Sequence, residues 1–336
     1  MIKITKTKYK HLNIYRTLKR KKFLYINARG GQIKDINTLK RISQLRIPPA
    51  YDNVKIATKS QHNLQATGMD SKGRTQYIYN EDHIKTQHKL KFKELISFGI
   101  KVEKIRKDIM KKIQDNDNVH SKDKIIALVI YLVDKCLFRI GNHFYTKQYD
   151  TYGTTTLKAK HLTYKHDVIY IEFVGKKNVV NYCQINNKYV VPLIRKLYKN
   201  AGKNNFIFRY IDYKGKYQSI NAKDINNFMK GYDPKLTVKM FRTWGANYIF
   251  LEETVKDFKK SADLSIVVTD LYARKHVIKV LKTIAQKLHN TPTVSKKSYM
   301  NNDILNMYLE HPVRFYTKIK SGQRKDLNKL LIELMQ

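Results

Sequence analysis

The longest apolar run in the chain, Ile125 to Val133, limits its fold most sharply. A helix across a bilayer needs about 20 consecutive apolar residues, and this run is far shorter. In a chain that is 42% hydrophobic, it belongs in the core of a globular protein. Ser121 can cap its N-terminus, and Ile125, Val129, Leu132 and Cys136 recur at helical spacing, so a helix is predicted over 121–139. Arg139 extends that stripe by three residues. Arginine is seldom buried without a partner, so Arg139 either snorkels, pairs with Asp134 or Asp150, or serves a site.

The remaining elements follow from pattern. Residues up to about 85 read as short strands and turns, punctuated by Gly30-Gly31 and Pro48-Pro49, and Gln76 to Tyr79 alternates at strand period. Lys85 to Ile113 is basic and helical, and a polar break follows at Asp115 to Asn118. The domain boundary is expected between 85 and 90, giving domains 1–87 and 88–336. Val168 to Val174 and Val179 to Ile185 are strands joined by a hairpin turn at Gly175-Lys176-Lys177-Asn178. Helices are expected around 224–230, 241–255 and 272–288, with a polar, basic connector from Lys256 to Leu264.

Composition narrows the partners. The chain carries 67 Lys+Arg against 27 Asp+Glu, a formal net charge of +40. That excess suits a polyanion. The chain is also rich in Asn, Ile and Tyr, so an AT-rich coding bias accounts for some of the lysine. Cys136 and Cys183 are the only cysteines, too few for a disulfide framework or a Cys-x-x-Cys zinc site, which fits a reducing, intracellular compartment. No Walker A loop, GxGxxG or HExxH motif occurs. The N-terminus has no signal-peptide pattern.

Four segments together carry chemistry: Phe138-Arg139-Ile140-Gly141-Asn142, Phe173-Val174-Gly175-Lys176, Lys239-Met240-Phe241-Arg242, and Thr291 to Tyr299. Cutting a phosphodiester by transesterification needs a nucleophile, charge stabilisation on the phosphorane oxygens and a proton for the leaving oxygen. One tyrosine, two guanidiniums and a lysine supply these. The chain has 24 tyrosines, so composition selects none of them.

The Thr-Pro-x-x-x-x-Lys-x-Tyr segment ending at Tyr299 resembles that of the small type IB DNA topoisomerases of poxviruses, giant viruses and bacteria. Ile47-Pro48-Pro49-Ala50-Tyr51, Leu64 to Gly68 and Asp70 to Tyr77 resemble the family's N-terminal DNA clamp, and Tyr152 to Leu157 followed by His161 also matches. The resemblance implies an α+β fold: a small strand-rich N-terminal domain and a larger, mainly helical catalytic domain with a small sheet. The two are expected to close on duplex DNA as a C-shaped clamp. It further implies an ATP- and metal-independent enzyme without cofactors, acting as a monomer on double-stranded DNA, away from membranes, in cytoplasm, nucleus or a virion.

Carried over by position, Arg139 and Arg242 match the two phosphate-binding arginines, which suits the planar guanidinium fork. Lys176 matches the general acid for the 5′ oxygen, although hairpin-tip lysines are ordinarily just solvated. Lys239 matches a second active-site lysine, and Tyr299 the nucleophile. Asn290 stands where the poxvirus branch has a histidine before Thr-Pro, with His289 one step earlier as the alternative. Gln76, Tyr77, Tyr79 and Tyr145 match DNA-touching positions, against ordinary aromatic packing as the plainer reading. Lys72 and Arg74 suit phosphate contacts, which set register rather than sequence. Asn142 replaces a base-contacting lysine, so the poxvirus sequence preference is not expected to carry over. Two other functions compete: a tyrosine recombinase of the same superfamily, and a DNA-packaging protein. A recombinase typically has His-x-x-Arg where this chain has Lys239 to Arg242, and a packaging protein has no need of the catalytic set.

Overall fold

The computed structural model describes residues 9–115, 118–202, 204–260, 269–322 and 326–336. It mixes helices with small antiparallel sheets and divides into two compact units, Met1–Lys91 and Phe92–Gln336. The division falls inside one long helix, α2 (Glu81–Gln114).

The first unit is built on a five-stranded antiparallel sheet of β1 (Ile14–Lys19), β2 (Lys22–Asn27), β3 (Asp52–Ile56), β4 (Leu64–Met69) and β5 (Thr75–Tyr79), in the order β2-β1-β3-β4-β5. Helix α1 (Ile36–Gln44), capped by Asp35, contributes Ile42 to a small core with Ile14, Val54, Ile56 and Ala66. Two of the motifs that carried the family resemblance do internal structural work here. The Arg16 guanidinium donates to the carbonyls of Pro48 (3.0 Å) and Tyr51, so the Pro-Pro turn wraps this cation. Buried Gln65 accepts from Arg41 and donates to the carbonyls of Ser60 (3.0 Å) and His62 (2.6 Å).

The second unit packs α2 from Phe92 onward against α3 (Lys122–Cys136) and α7 (Lys239–Lys260). Phe92, Leu95, Val102, Ile105, Ile109 and Ile113 follow helical spacing and are buried. Gly99 allows a close approach that a Cβ would forbid: it would stand 2.3 Å from the Trp244 ring. Ser121 caps α3 as expected, but the helix ends three residues earlier than predicted. Leu137 adopts a left-handed conformation (φ 51°) and the chain leaves the helix, so Arg139 lies on an extended strap rather than on the helical stripe. A three-stranded sheet, β6 (Leu162–Lys165), β7 (Val168–Val174) and β8 (Val180–Ile185), has β8 at one edge. Lys176–Asn178 form the β7–β8 turn.

The remaining elements are α4 (His143–Tyr149), α5 (Val190–Ala201), the ribbon β9 (Arg209–Ile211) with β10 (Tyr217–Ser219), and α6 (Ala222–Lys230). Then come α8 (Asp270–Leu288), α9 (Pro292–Tyr299), α10 (Asn302–Glu310), α11 (Pro312–Gly322) and α12 (Leu327–Met335). The connector expected at Lys256–Leu264 is corrected in its first half. Helix α7 runs on through Lys260, with Val255 and Phe258 buried one turn apart, and residues 261–264 lie outside the described residues. Ile304 and Leu305 of α10 are buried, and α10 packs against α8 and α12.

Cys136 and Cys183 are joined by a disulfide, Cα to Cα 5.5 Å. Two cysteines cannot make a framework, yet they make one bridge, so the cysteine count does not argue for a reducing compartment. Their separation of 47 residues hid the pairing in the sequence. Among the described residues no helix is long and apolar enough to cross a membrane.

Candidate active site

Three segments far apart in sequence meet beside α7. Arg242, one turn into α7, is 3% exposed; Tyr299, the last residue of α9, is 6% exposed. Both were drawn from short polar motifs, yet both lie in the protein interior. The Tyr299 hydroxyl sits 3.4 Å from Arg242 Nε and 3.3 Å from Nη2, and Nη2 also donates to the Leu288 carbonyl at 3.0 Å. The guanidinium thereby spans the C-terminus of α8 and the tyrosine. Asp134 and Asp150 are not the partners of Arg139: Asp134 is held by Arg106 and Asp150 takes the Tyr152 hydroxyl. Instead Arg139 Nη2 donates to Asn290 Oδ1 at 2.6 Å.

Electrostatics at the site favour an anion. Burial pushes the Arg242 guanidinium down to about 10, against the opposing pull of Tyr299. Burial would raise the Tyr299 hydroxyl. The charge and hydrogen bonds of Arg242, with the charges of Arg139 and Lys239, outweigh it and bring the hydroxyl below the ordinary tyrosine value. Arg242 Nη1 and Asn290 Nδ2 are buried donors with no hydrogen-bond partner among the described residues. Unpaired buried donors are costly, and donors on these two residues suit phosphate oxygens.

Local structure explains why each group stands where it does. Thr291 caps α9, Pro292 occupies its first turn, and the helix ends at Tyr299, so the nucleophile candidate is set by a capped, eight-residue helix. The segment Tyr152 to Thr156 is the seat of the Arg139 strap. Thr154 donates to the Arg139 carbonyl from both its N–H (2.9 Å) and its hydroxyl (3.2 Å), and Thr155 Oγ1 donates to the Gly141 carbonyl at 3.2 Å. Gly153 is required by closeness: a Cβ there would stand 2.6 Å from the Arg139 carbonyl oxygen.

Lys176 is not gathered into this cluster. It is exposed at the β7–β8 turn and has no hydrogen bond or ion pair to Tyr299, Arg139 or Arg242 among the described residues. Lys239, the first residue of α7, is exposed, and its charge reaches Tyr299. Tyr77 and Tyr79 are exposed on one face of β5, with ring centroids 6.5 Å apart. Gln76 and Arg74 are engaged internally: Asp70 Oδ2 accepts from Gln76 Nε2 (2.9 Å), Arg74 Nε (2.9 Å) and Arg74 Nη2 (2.7 Å). Those bonds hold the Asp70 carboxyl well below the usual carboxylate range. Lys72 is exposed in the β4–β5 turn beside them. Tyr145 is exposed on α4 and stacks on Tyr149 at 6.0 Å. Asn142 caps α4 by accepting from the N–H groups of Phe144 and Tyr145, a role no lysine could fill. Among the described residues no group of three or more His, Cys, Asp or Glu could hold a metal.

With this geometry in view, comparison with known proteins is decisive. Residues 80–324 match the family described as eukaryotic DNA topoisomerase I, catalytic core, and residues 22–70 match the bacterial DNA topoisomerase IB N-terminal domain. The chain belongs to the type IB DNA topoisomerase family. It is 32% identical to DNA topoisomerase 1B of Acanthamoeba polyphaga mimivirus, over 95% of this chain and 98% of that one. Similarity extends to DNA topoisomerase 1 of rabbit fibroma virus (26% identity; 84% of this chain, 85% of the other) and to vaccinia virus DNA topoisomerase 1B (29%; 71% of each).

Sequence reasoning within this topoisomerase gave no role to three supporting residues. Asn247 is fully buried on α7; its Nδ2 donates to the Tyr299 carbonyl and its Oδ1 accepts the Asn301 N–H, both at 2.8 Å. An amide on the buried face of a helix was the available signal. Thr154 and Thr155 gave no chemical signal. His289 was weighed only as a substitute for Asn290, and its ring turns instead toward β8.

Proposed function

We propose that this topoisomerase relaxes supercoiled duplex DNA by nicking one strand through Tyr299, allowing rotation, and resealing. The observation that carries the site assignment is the buried Arg242–Tyr299 contact beside the Arg139–Asn290 pair. Tyr299 oxygen attacks the scissile phosphorus; a P–O bond to tyrosine forms as the bond to the 5′ oxygen breaks. The tyrosine proton leaves to solvent, favoured by the guanidinium that lowers its affinity. Arg139 and Arg242 stabilise charge on the non-bridging oxygens, and Asn290 Nδ2 adds a neutral donor. Lys176 gives the 5′ oxygen its proton. Lys239 supports the same phosphate from the start of α7.

The 3′-phosphotyrosyl ester conserves the bond energy, so resealing is the same path reversed and needs no ATP. Side chains supply each charge, so relaxation is expected to proceed in a chelator. Residues 1–87 serve as the N-terminal DNA clamp and 88–336 as the catalytic domain, closing on DNA as a C-shaped monomer. Tyr77, Tyr79 and Tyr145 offer exposed aromatic faces to it; Lys72 and Arg74 meet phosphates; Gln76 reads a base only after leaving Asp70. Such an enzyme works where duplex DNA is, inside a cell or a virion.

The test is relaxation of negatively and positively supercoiled plasmid in EDTA without ATP, beside Tyr299→Phe. Wild type should relax both forms, and the variant should bind DNA yet form no covalent complex. DNA binding without relaxation across a salt series would favour recombination or packaging. Relaxation surviving in Tyr299→Phe would move the nucleophile to another tyrosine.

A further inference from the structure

His289 stands in the left-handed region (φ 53°, ψ 57°) just past the end of α8, a position where glycine is the least strained residue. Its side chain does what glycine could not. Nε2 lies 3.1 Å from the Tyr182 nitrogen and 3.0 Å from the Tyr182 carbonyl oxygen. Tyr182 sits on β8, the edge strand opposite Glu172 of β7, and its outward backbone groups would otherwise be unpaired. Burial, with the charges of Arg242, Arg139 and Lys287, holds the imidazole below the ordinary histidine value despite the Tyr182 contact, which favours the neutral ring. A neutral ring either accepts the Tyr182 N–H or donates to its C=O, and either bond ties the end of α8 to the strand edge.

The same ring touches the other two parts of the site. It lies 5.4 Å from the ring of Phe138, whose neighbour is Arg139, and Phe138 packs edge-on against Phe173 of β7 at 4.8 Å. The next residue, Asn290, accepts from Arg139. Three segments therefore meet at one imidazole: the end of α8, the Arg139 strap and the β7–β8 hairpin.

We infer that His289 is a positioning residue, a clasp that fixes the β7–β8 hairpin against the end of α8 so that Lys176 at its tip is delivered to the leaving oxygen. This rests on the reading of Lys176 as general acid. It gives the exposed lysine a defined place without burying it.

The variant to make is His289→Gly, which suits the left-handed backbone and removes the ring with its Tyr182 and Phe138 contacts. Single-turnover cleavage is measured on ordinary DNA and on DNA with a 5′-bridging sulfur, a leaving group that needs little protonation, with thermal unfolding alongside. Expected is a melting temperature equal to or above wild type, cleavage of ordinary DNA slowed about tenfold or more, and most of that deficit removed by sulfur. Lys176→Ala, run in parallel, should show the same rescue, and Arg242→Ala should not. His289→Gly cleaving ordinary DNA like wild type overturns the clasp. Equal slowing on both substrates, with Lys176→Ala rescued, also overturns it while leaving the catalytic reading intact. Lack of rescue in Lys176→Ala overturns both. If the glycine chain does not fold, His289→Asn tolerates the same backbone, cannot reach Tyr182, and is read by the same outcomes.

Discussion

The α7–α9 junction and the β7–β8 hairpin tip each present a cation that the proposed reaction would use, in opposite settings. Arg242 is 3% exposed and bonded to Tyr299 and Leu288, whereas Lys176 is exposed on a turn. A group that must stabilise charge at a fixed point gains from burial, where its field is least screened. A group that must hand over a proton needs reach and gains nothing from a rigid, dry setting. On the proposed mechanism the two tasks are separated, the first packed into the core and the second hung from a sheet.

That contrast can be broken in order of effect. Lys176→Ala should slow cleavage by about 10² to 10⁴, the usual range for a general acid, with stability changed by no more than about 0.5 kcal/mol. A fall in stability comparable to the fall in rate would mean that the lysine is structural after all. Next, the Cys136–Cys183 bridge ties the hairpin strand to α3 across 47 residues. Chain entropy assigns it roughly 4 kcal/mol, to be read from denaturant unfolding with and without reductant. An unchanged midpoint would show that packing alone holds the hairpin strand.

On the buried side, Arg242→Ala should cost about 10² to 10³ in cleavage rate. It should also move the pH dependence. Tyr299 is held below its ordinary value by Arg242, so in wild type the rate rises with pH and levels off at a pH below that of a free tyrosine. Without the guanidinium, burial dominates and the rise shifts to higher pH. A rise at the same pH in both proteins would show that another group controls it. The smallest effect belongs to the first unit: Lys72→Ala should lower the log–log salt slope of DNA binding by about 1 and leave cleavage of bound DNA unaltered.

Part of the site could be read from the chain and part could not. Helical periodicity located α3, and turn chemistry located the Lys176 hairpin, because both signals are local. The end of α3 was missed because Leu137 gives no warning of a left-handed turn. The partner of Arg139 was missed for a different reason. Nearby carboxylates were the obvious candidates, but Arg106 and Tyr152 occupy them, and the partner that remains is 151 residues away. The Asp70 cluster was invisible as well: Arg74 and Gln76 look like DNA contacts, and folding turns both onto the Asp70 carboxylate first.

By itself the sequence determined the basic charge, the α+β mixture and the family, and it supplied the candidates for the reactive groups. Residue type sets chemistry, and local pattern sets secondary structure. Only the tertiary structure decided that Arg242 and Tyr299 share a buried contact, that the two cysteines are bridged, and that His289 faces a sheet edge. These pairings join residues 47 or more apart in sequence, and such contacts are fixed by how whole elements pack.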